Sequence, residues 1–534
     1  MTVLPRRFLR HLLWMVGLVA VLAGCQGWPL IGRGSPPPDP LAAFRLAMMP
    51  DQAMWVDREP PWPVYRIRAR LDPAELALTG DLTLTLPADF LGPALSELYF
   101  RLYPNLAHYA GQMAVDLVTV NGQGAAFEYR ASDTAVRVLI PPAAIRQGEP
   151  TAVGLRWRLR VRSWPPNRYT LLGESEGVIS LPLFYPILAG RQPGAADPWR
   201  LDLGLVQGDA AFTETALYDV TLEVPADYRV VGSGSVLAVT DVSSPAAEGE
   251  EPTAPWRAWR IVTGPVREMA LFVSDRLQLA ESTAYGVQIN SWYLPGDEAA
   301  GRAAADYAAA ALRIYHDVLG PYPYRELDVV AGPLTYRGME YPGLFVLGFD
   351  LYRSHADEME FRVAHEMAHQ WWYNLVGNDP VNAPWLDEGL AEFSTYYYRL
   401  LTRGEAAAER LAATRWRSAV AYAHSRGLDA VVNQPVQAFL PSVYETMVYG
   451  KAALFFYELY TAVGAEAFQG FLRDYIEAYR FGVATPDGFI ALAEERLGPV
   501  ARELYDRLIL SAEGVAADGA DQPQPTPPTP SPTP

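Results

Sequence analysis

Val363-Ala364-His365-Glu366-Met367-Ala368-His369-Gln370-Trp371-Trp372 contains the pattern H-E-x-x-H. On a helix His365 and His369 are one turn apart, so both imidazoles project from one face toward one ion. Glu366 sits beside them, placed to handle a proton rather than to bind the metal. The flanks predict the helix. Phe361, Ala364, Ala368, Trp372 and Leu375 recur at helical spacing, and Gly377 follows where a left-handed carboxy-terminal cap is expected. A catalytic zinc site usually needs a third protein ligand and one open position. The next helical stretch, Pro384-Trp385-Leu386-Asp387-Glu388-Gly389-Leu390-Ala391-Glu392, supplies Glu388 after a turn rich in Gly, Asn, Asp and Pro. That spacing lets a second helix fold back and present its carboxylate to the same ion. The alternative is two histidines on an ordinary buried helix. It leaves unexplained why two of only seven histidines take this spacing with Glu between them.

The stretch from His365 to Glu392 resembles the zinc aminopeptidases of the M1 family, a group of gluzincins. Upstream, Arg337-Gly338-Met339-Glu340-Tyr341-Pro342-Gly343 is similar to that family's G-x-M-E-N motif, with Tyr341 in the place of Asn. Downstream, Tyr449-Gly450-Lys451-Ala452 resembles its Y-x-K-G motif. The resemblance covers roughly residues 60 to 510. It implies one Zn2+ per chain held by His365, His369 and Glu388, with Glu366 moving the proton. It further implies that Glu340 grips the substrate α-amine, with Gly338 and Met339 in the same substrate-binding segment, and that Tyr449 is catalytic. Tyr444 is a second tyrosine for that role, and Glu392 is placed to orient a histidine ligand. The function implied is removal of N-terminal residues from peptides. Two other readings stay open: an endopeptidase or other amide or epoxide hydrolase with an open cleft, and a zinc-binding scaffold without catalysis. Members of the family often carry a long helical domain over the site. Here only about twenty residues follow the last plausible helix, so the cleft is expected to be open.

The rest of the chain divides by texture. Residues 1–25 read as a lipoprotein signal: Arg6, Arg7 and Arg10, an apolar run, then Leu22-Ala23-Gly24-Cys25, which resembles a bacterial lipobox. Cys25, the only cysteine, is the expected lipidation site, placing the protein at the bacterial envelope, outside the cytoplasm. Residues 26–55 read as a Pro-rich tether, 56–280 as an all-β saddle domain, and 281–512 as an α+β thermolysin-like peptidase domain. Residues 513–534 read as a disordered Pro/Thr-rich tail. The β region rests on alternation, as in Val64-Tyr65-Arg66-Ile67-Arg68-Ala69-Arg70-Leu71 and Arg156-Trp157-Arg158-Leu159-Arg160-Val161-Arg162. Residues 248–255 read as a polar insertion in a hairpin. Ala299 to Leu319 reads as an Ala-rich amphipathic helix closed by Gly320-Pro321, and 358–512 as almost entirely helical. A formal net charge of −18 argues against nucleic acid or anionic lipid as an electrostatic partner. Lys451 is the only lysine among 43 basic residues, two positions after Tyr449, which suggests a tight site that Arg does not fit.

Overall fold

The computed structural model describes residues 39–88, 90, 96–146, 148–166, 168–191, 198–202, 211–243, 255–335 and 337–512. The signal segment with Cys25, residues 26–38 of the expected tether, the polar hairpin insertion apart from Pro255 and the Pro/Thr-rich tail lie outside them. Of the amino-terminal unit, Met1–Ala42, only residues 39–42 are described; the remainder from Ala43 is one compact unit.

The alternating runs form strands for the reason the pattern gives: every second side chain is buried and its neighbours face out. Val64–Asp72, Ala77–Leu86 and Thr151–Arg160 are central strands of an eight-stranded sheet. Its order from one edge is 235–242, 256–262, 217–225, 64–72, 77–86, 151–160, 112–120, 123–124, with one parallel pair, 64–72 beside 217–225. Two four-stranded sheets complete this β domain.

The second domain opens with its own sheet: β1 (Gln278–Ala284), β2 (Val287–Tyr293), β3 (Glu326–Gly332), β4 (Gly338–Tyr341) and β5 (Leu344–Gly348). The spatial order is β1-β2-β3-β5-β4, so β4 is an edge strand, antiparallel to β5. Strand β1 straddles the expected boundary at 280/281. Helix α1 (Glu298–Leu319) lies between β2 and β3 in the chain and packs against α2 (Ala356–Ala368), which in turn packs against α3 (Trp385–Arg403). Residues beyond α3 are mainly helical to Leu508. Among the described residues no helix is long and apolar enough to cross a membrane.

Two expectations are corrected. The tether does not extend to residue 55. Phe44, Ala47, Met48 and Val56 are buried, Met49 N–H donates to Pro323 O at 2.9 Å, and Arg325 Nε donates to Met48 O at 2.8 Å. The apolar residues of this segment give it a packed place, whatever the prolines before it do. Gly377 is also not a helix cap. Helix α2 ends at Ala368, the positive φ falls on Tyr373 (106°), and Gly377 pairs in a short parallel ladder with Val483. Glycine is needed there for a different reason: a Cβ would run into the guanidinium of Arg267.

Arg267 joins the two domains. It comes from the β domain and is fully buried, and burial pulls its guanidinium down to about 10. Its Nε donates to Tyr373 O at 2.6 Å, Nη1 to Thr213 O at 3.4 Å, and Nη2 to Gly482 O. Nearby, Thr215 Oγ1 donates to Phe481 O at 2.9 Å. The carbonyls of Tyr373 and Gly482 belong to the chain just after α2 and to the strand paired with it. Replacing Arg267 by Met leaves three carbonyls without their donor, each a loss of about 1–3 kcal/mol before relaxation. Arg267→Met is therefore expected to lower unfolding free energy by about 3 kcal/mol or more in urea titration. A change within about 0.5 kcal/mol, the range of an ordinary surface substitution, would show that the stitch carries no stability.

Candidate active site

Helix α2 starts with Asp357 and Glu358 in its first turn, where acidic side chains complement the helix dipole. At its other end His365 lies in the last turn and His369 is the cap residue, still with helical backbone (φ −63°). The two Nε2 atoms therefore face each other at 3.3 Å. Helix α3 brings Glu388 to them: Oε2 is 3.3 Å from His365 Nε2 and 3.4 Å from His369 Nε2. The close approach of α3 to the later helix Ala452–Val463 depends on Gly389, whose Cβ would stand 2.6 Å from Ala452 Cβ.

The outer nitrogen of each histidine faces an oxygen. His365 Nδ1 is 3.2 Å from Glu392 Oε2, and His369 Nδ1 is 3.0 Å from Trp372 O. When both imidazoles are neutral with protons at Nδ1, the two Nε2 lone pairs and a carboxylate oxygen converge on one point, where a metal cation relieves their repulsion. Without one, protons on Nε2 serve as the bonds to Glu388. Two imidazoles and one carboxylate form the donor set expected of a catalytic zinc ion, so the residues fit one.

The titration shifts separate the acids. Burial alone favours neutral Glu388, yet its bonds to His365 and His369 hold it ionised, well below the usual carboxylate range. Burial likewise opposes ionisation of Glu392, but Arg415 and the bonds from His365 and Trp416 bring it down to about 2. Trp416 Nε1 donates to Glu392 Oε1 at 3.0 Å and Arg415 Nε at 3.3 Å. Burial draws His365 down, but Glu388 and Glu392 carry it up to about 9. Glu366 has no such donors. Burial pushes it up to about 7, and its Oε2 is buried with no hydrogen-bond partner among the described residues.

The edge strand β4 supplies the next wall. Glu340 is buried with Oε1 3.9 Å from His369 Nδ1, and Met339 lies beside it. A side chain at Gly338 would strike the Glu366 carboxylate, so only glycine lets the strand lie that close. Arg337 pairs with Glu445 at 2.5 Å, and Glu340 faces the histidines. Tyr341, in the place of Asn, presents its carbonyl to Gln370 Nε2 at 3.0 Å. Gln370 Oε1 in turn accepts from Gly343 N–H at 2.9 Å, fastening the strand to the end of α2. Gln370 was within the quoted motif, but nothing local marked it as the fastener.

Tyr449 stands on a π-helical turn, Thr446–Lys451. Its hydroxyl donates to Glu388 Oε1 at 2.5 Å, and its ring stacks on His365 at 5.8 Å. Together these groups line a cavity of about 530 Å³. Tyr444 lines a neighbouring cavity of about 400 Å³ with His108, Trp164 and Arg168 from the β domain; Tyr449 borders both. Lys451 is not in the cleft. Fully buried behind it, its ammonium donates to Asp429 Oδ1 at 2.6 Å, Ala430 O at 3.1 Å and Ser511 O at 2.7 Å. The reading of Lys451 as a tight-site residue beside the chemistry is therefore corrected to a structural one.

Comparison with known proteins gives a consistent picture. Residues 303–507 match the peptidase family M1 domain. Aminopeptidase M1-B of Oryza sativa subsp. japonica is 28% identical over 302 residues, 54% of this chain and 33% of that protein. The alanine/arginine aminopeptidase of Saccharomyces cerevisiae is 34% identical over 146 residues, 24% of this chain and 16% of that protein. The match thus spans at most about a third of these relatives' own length. An M1 zinc metallopeptidase from Deinococcus radiodurans has the same fold, with a TM-score of 0.61 and 20% identity over 87% of this chain and 96% of that one. A variant of that peptidase was solved with a Tyr-Ser-Ala substrate, again with a TM-score of 0.61, at 19% identity over 86% of this chain and 95% of that one.

The geometry makes Glu392 the support of His365 rather than a ligand. Glu392→Gln removes the charge that orients and polarises the imidazole, and is expected to weaken zinc binding about 10–100-fold. His369→Ala is expected to abolish binding. Chelator-competition titration of zinc distinguishes the two; equal affinities for wild type and Glu392→Gln would remove Glu392 from the site.

Proposed function

We propose, on the premise that residues 303–507 match the peptidase family M1 domain, that the chain is a zinc-dependent aminopeptidase removing N-terminal residues from peptides. One observation carries the reading: the unpartnered Oε2 of Glu366 stands beside three donor atoms gathered within 3.4 Å, with buried Glu340 on the far side of His369.

His365, His369 and Glu388 would hold the ion. When bound, zinc supplies Lewis-acid polarisation of the scissile carbonyl and acidifies water. The protein's own groups do the remainder. Glu340, ionised by contact with an ammonium, holds the substrate's α-amine and so sets the register at the first peptide bond. Glu366 takes a proton from the attacking water at its free Oε2 and passes it to the departing amine. A base that burial has raised to about 7 suits both halves of that transfer near neutrality. The Tyr449 hydroxyl donates to the carbonyl oxygen as it becomes negative, a contact worth about 3 kcal/mol in such sites. The peptide seen on the Deinococcus radiodurans variant supports a short peptide as the substrate class.

The proposal extends to location. Leu22-Ala23-Gly24-Cys25 supports lipidation at Cys25 and anchoring to the bacterial envelope, facing away from the cytoplasm. One acyl chain binds membranes only marginally, so stable anchoring needs more than one.

Glu366→Gln is expected to retain zinc and lose several orders of magnitude in kcat. Tyr449→Phe is expected to lose about two to three orders in kcat with KM little changed, as for a contact made mainly in the transition state. N-acetylated peptides should resist wild-type enzyme. Internal cleavage of acetylated peptides at the rate of free ones would replace this reading with the endopeptidase one. For the anchor, Cys25→Ser should move the protein out of the membrane fraction or block its processing. Mass spectrometry showing unmodified Cys25 in the mature protein would refute the anchor.

A further inference from the structure

Three arginines line the cavity that holds the ligand atoms: Arg337, Arg362 and Arg415. Two are neutralised inside the protein. Arg337 pairs with Glu445 at 2.5 Å, and Arg415 with Glu392 at 3.3 Å and Glu358 at 3.7 Å. Arg362 has no carboxylate within ion-pair distance among the described residues, and its Nε is buried with no hydrogen-bond partner. Its guanidinium carbon lies 5.7 Å from the ring of Phe361. A guanidinium carries only donors, and burying one of them unpaired forfeits its hydration without return. The chain has 61 acidic against 43 basic residues, so a shortage of acids does not explain the vacancy.

The position of Arg362 is set by α2. It stands three residues before His365, on the same face of the helix. Glu340 meets the other end of the motif, at His369. Seven residues of helix separate Arg362 from His369, an axial advance of about 10 Å. The cavity therefore has an acidic end at Glu340 and a basic end at Arg362, with the three ligand atoms between them. An extended peptide advances about 3.3–3.6 Å per residue, so two or three residues cover that span.

We infer that Arg362 is a specificity-determining residue that receives a carboxylate on the leaving fragment of the substrate. The inference rests on the aminopeptidase reading, because Glu340 must hold the ammonium end for Arg362 to face the leaving side. Two sources present the same planar anion to the guanidinium fork. One is the free carboxy terminus of a di- or tripeptide; the other is an Asp or Glu side chain just after the cleaved bond. Short acidic peptides are then favoured, although the cleft is not closed by a further domain among the described residues.

The test uses full-length, zinc-loaded enzyme and two matched pairs: Ala-Ala-Ala against its carboxy-terminal amide, and Ala-Glu amide against Ala-Gln amide. Wild type is expected to prefer the carboxylate member of at least one pair by roughly tenfold or more in kcat/KM, mainly through KM. Preference in the first pair identifies the carboxy terminus, and in the second the side chain. Arg362→Gln should bring the ratio close to one, and Arg362→Lys should restore part of it. The ratio is insensitive to the fraction of folded enzyme, so poor folding of a variant does not imitate the result. Ratios near one in wild type, or a ratio that survives Arg362→Gln, would overturn the inference. Ala-p-nitroanilide separates the two levels: its hydrolysis without discrimination in the pairs removes Arg362 alone, and no hydrolysis of it removes the aminopeptidase reading and the inference with it.

Discussion

Four glutamates, Glu340, Glu366, Glu388 and Glu392, face one cavity with none more than 8% exposed. Like charges at that depth repel strongly, since little water remains to screen them. The structure resolves the conflict by giving each a different neighbour. Glu388 is fixed by two imidazoles and the Tyr449 hydroxyl. Glu392 is fixed by His365, Trp416 and Arg415, and Glu340 is set against His369. Glu366 keeps a buried oxygen, Oε2, without a hydrogen-bond partner among the described residues. Four copies of one side chain thus acquire separate surroundings, which suit them to the separate roles proposed for them: ligand, ligand support, substrate anchor and base.

Such an arrangement requires walls that do not shift. The donors sit on helices and an edge strand rather than on loops, and the gaps between these elements are closed by single polar side chains. Gln370 binds the backbone of β4 and the turn after it to the end of α2. Arg267 reaches from the β domain to the chain that follows α2 and holds it through carbonyls. The β domain therefore does more than border the cleft. It fixes the exit of the helix that carries His365 and His369.

Much of this was legible in the sequence because it is periodic. His365, Glu366 and His369 lie within one helical turn, and Glu388 follows on the next helix, so their meeting needs only two helices and a turn. The alternation of residues 64–71 and 156–162 likewise gave strands directly. What was not legible depends on contacts between distant segments. The burial of residues 44–56 is decided by where Tyr324 and Arg325 lie, not by the prolines that suggested a tether. Gly377 satisfied the rule for a helix cap, but its reason is Arg267, more than a hundred residues away, pressed against its backbone. Arg362 lies inside the motif helix and still gave no signal, because its distinguishing property is a missing partner.

Lys451 shows how a position two residues from Tyr449 can matter without facing the cleft. An ammonium has three donors, and here three acceptors surround it: Asp429 Oδ1, Ala430 O and Ser511 O. Burial pulls its pKa down and Asp429 restores part of it, as for a cation kept charged by one close anion. An arginine at that place would bring five donors and a planar fork to three acceptors spaced for a point charge. The chain that uses arginine at every other basic position therefore keeps lysine at this one. The acceptors belong to the segment after the 418–425 helix and to the last described residues of the chain, while the donor ends the π-turn that carries Tyr449. Three separate stretches are tied at the back of that turn, and the tyrosine on its front is held over His365 by a contact it never shares with the substrate.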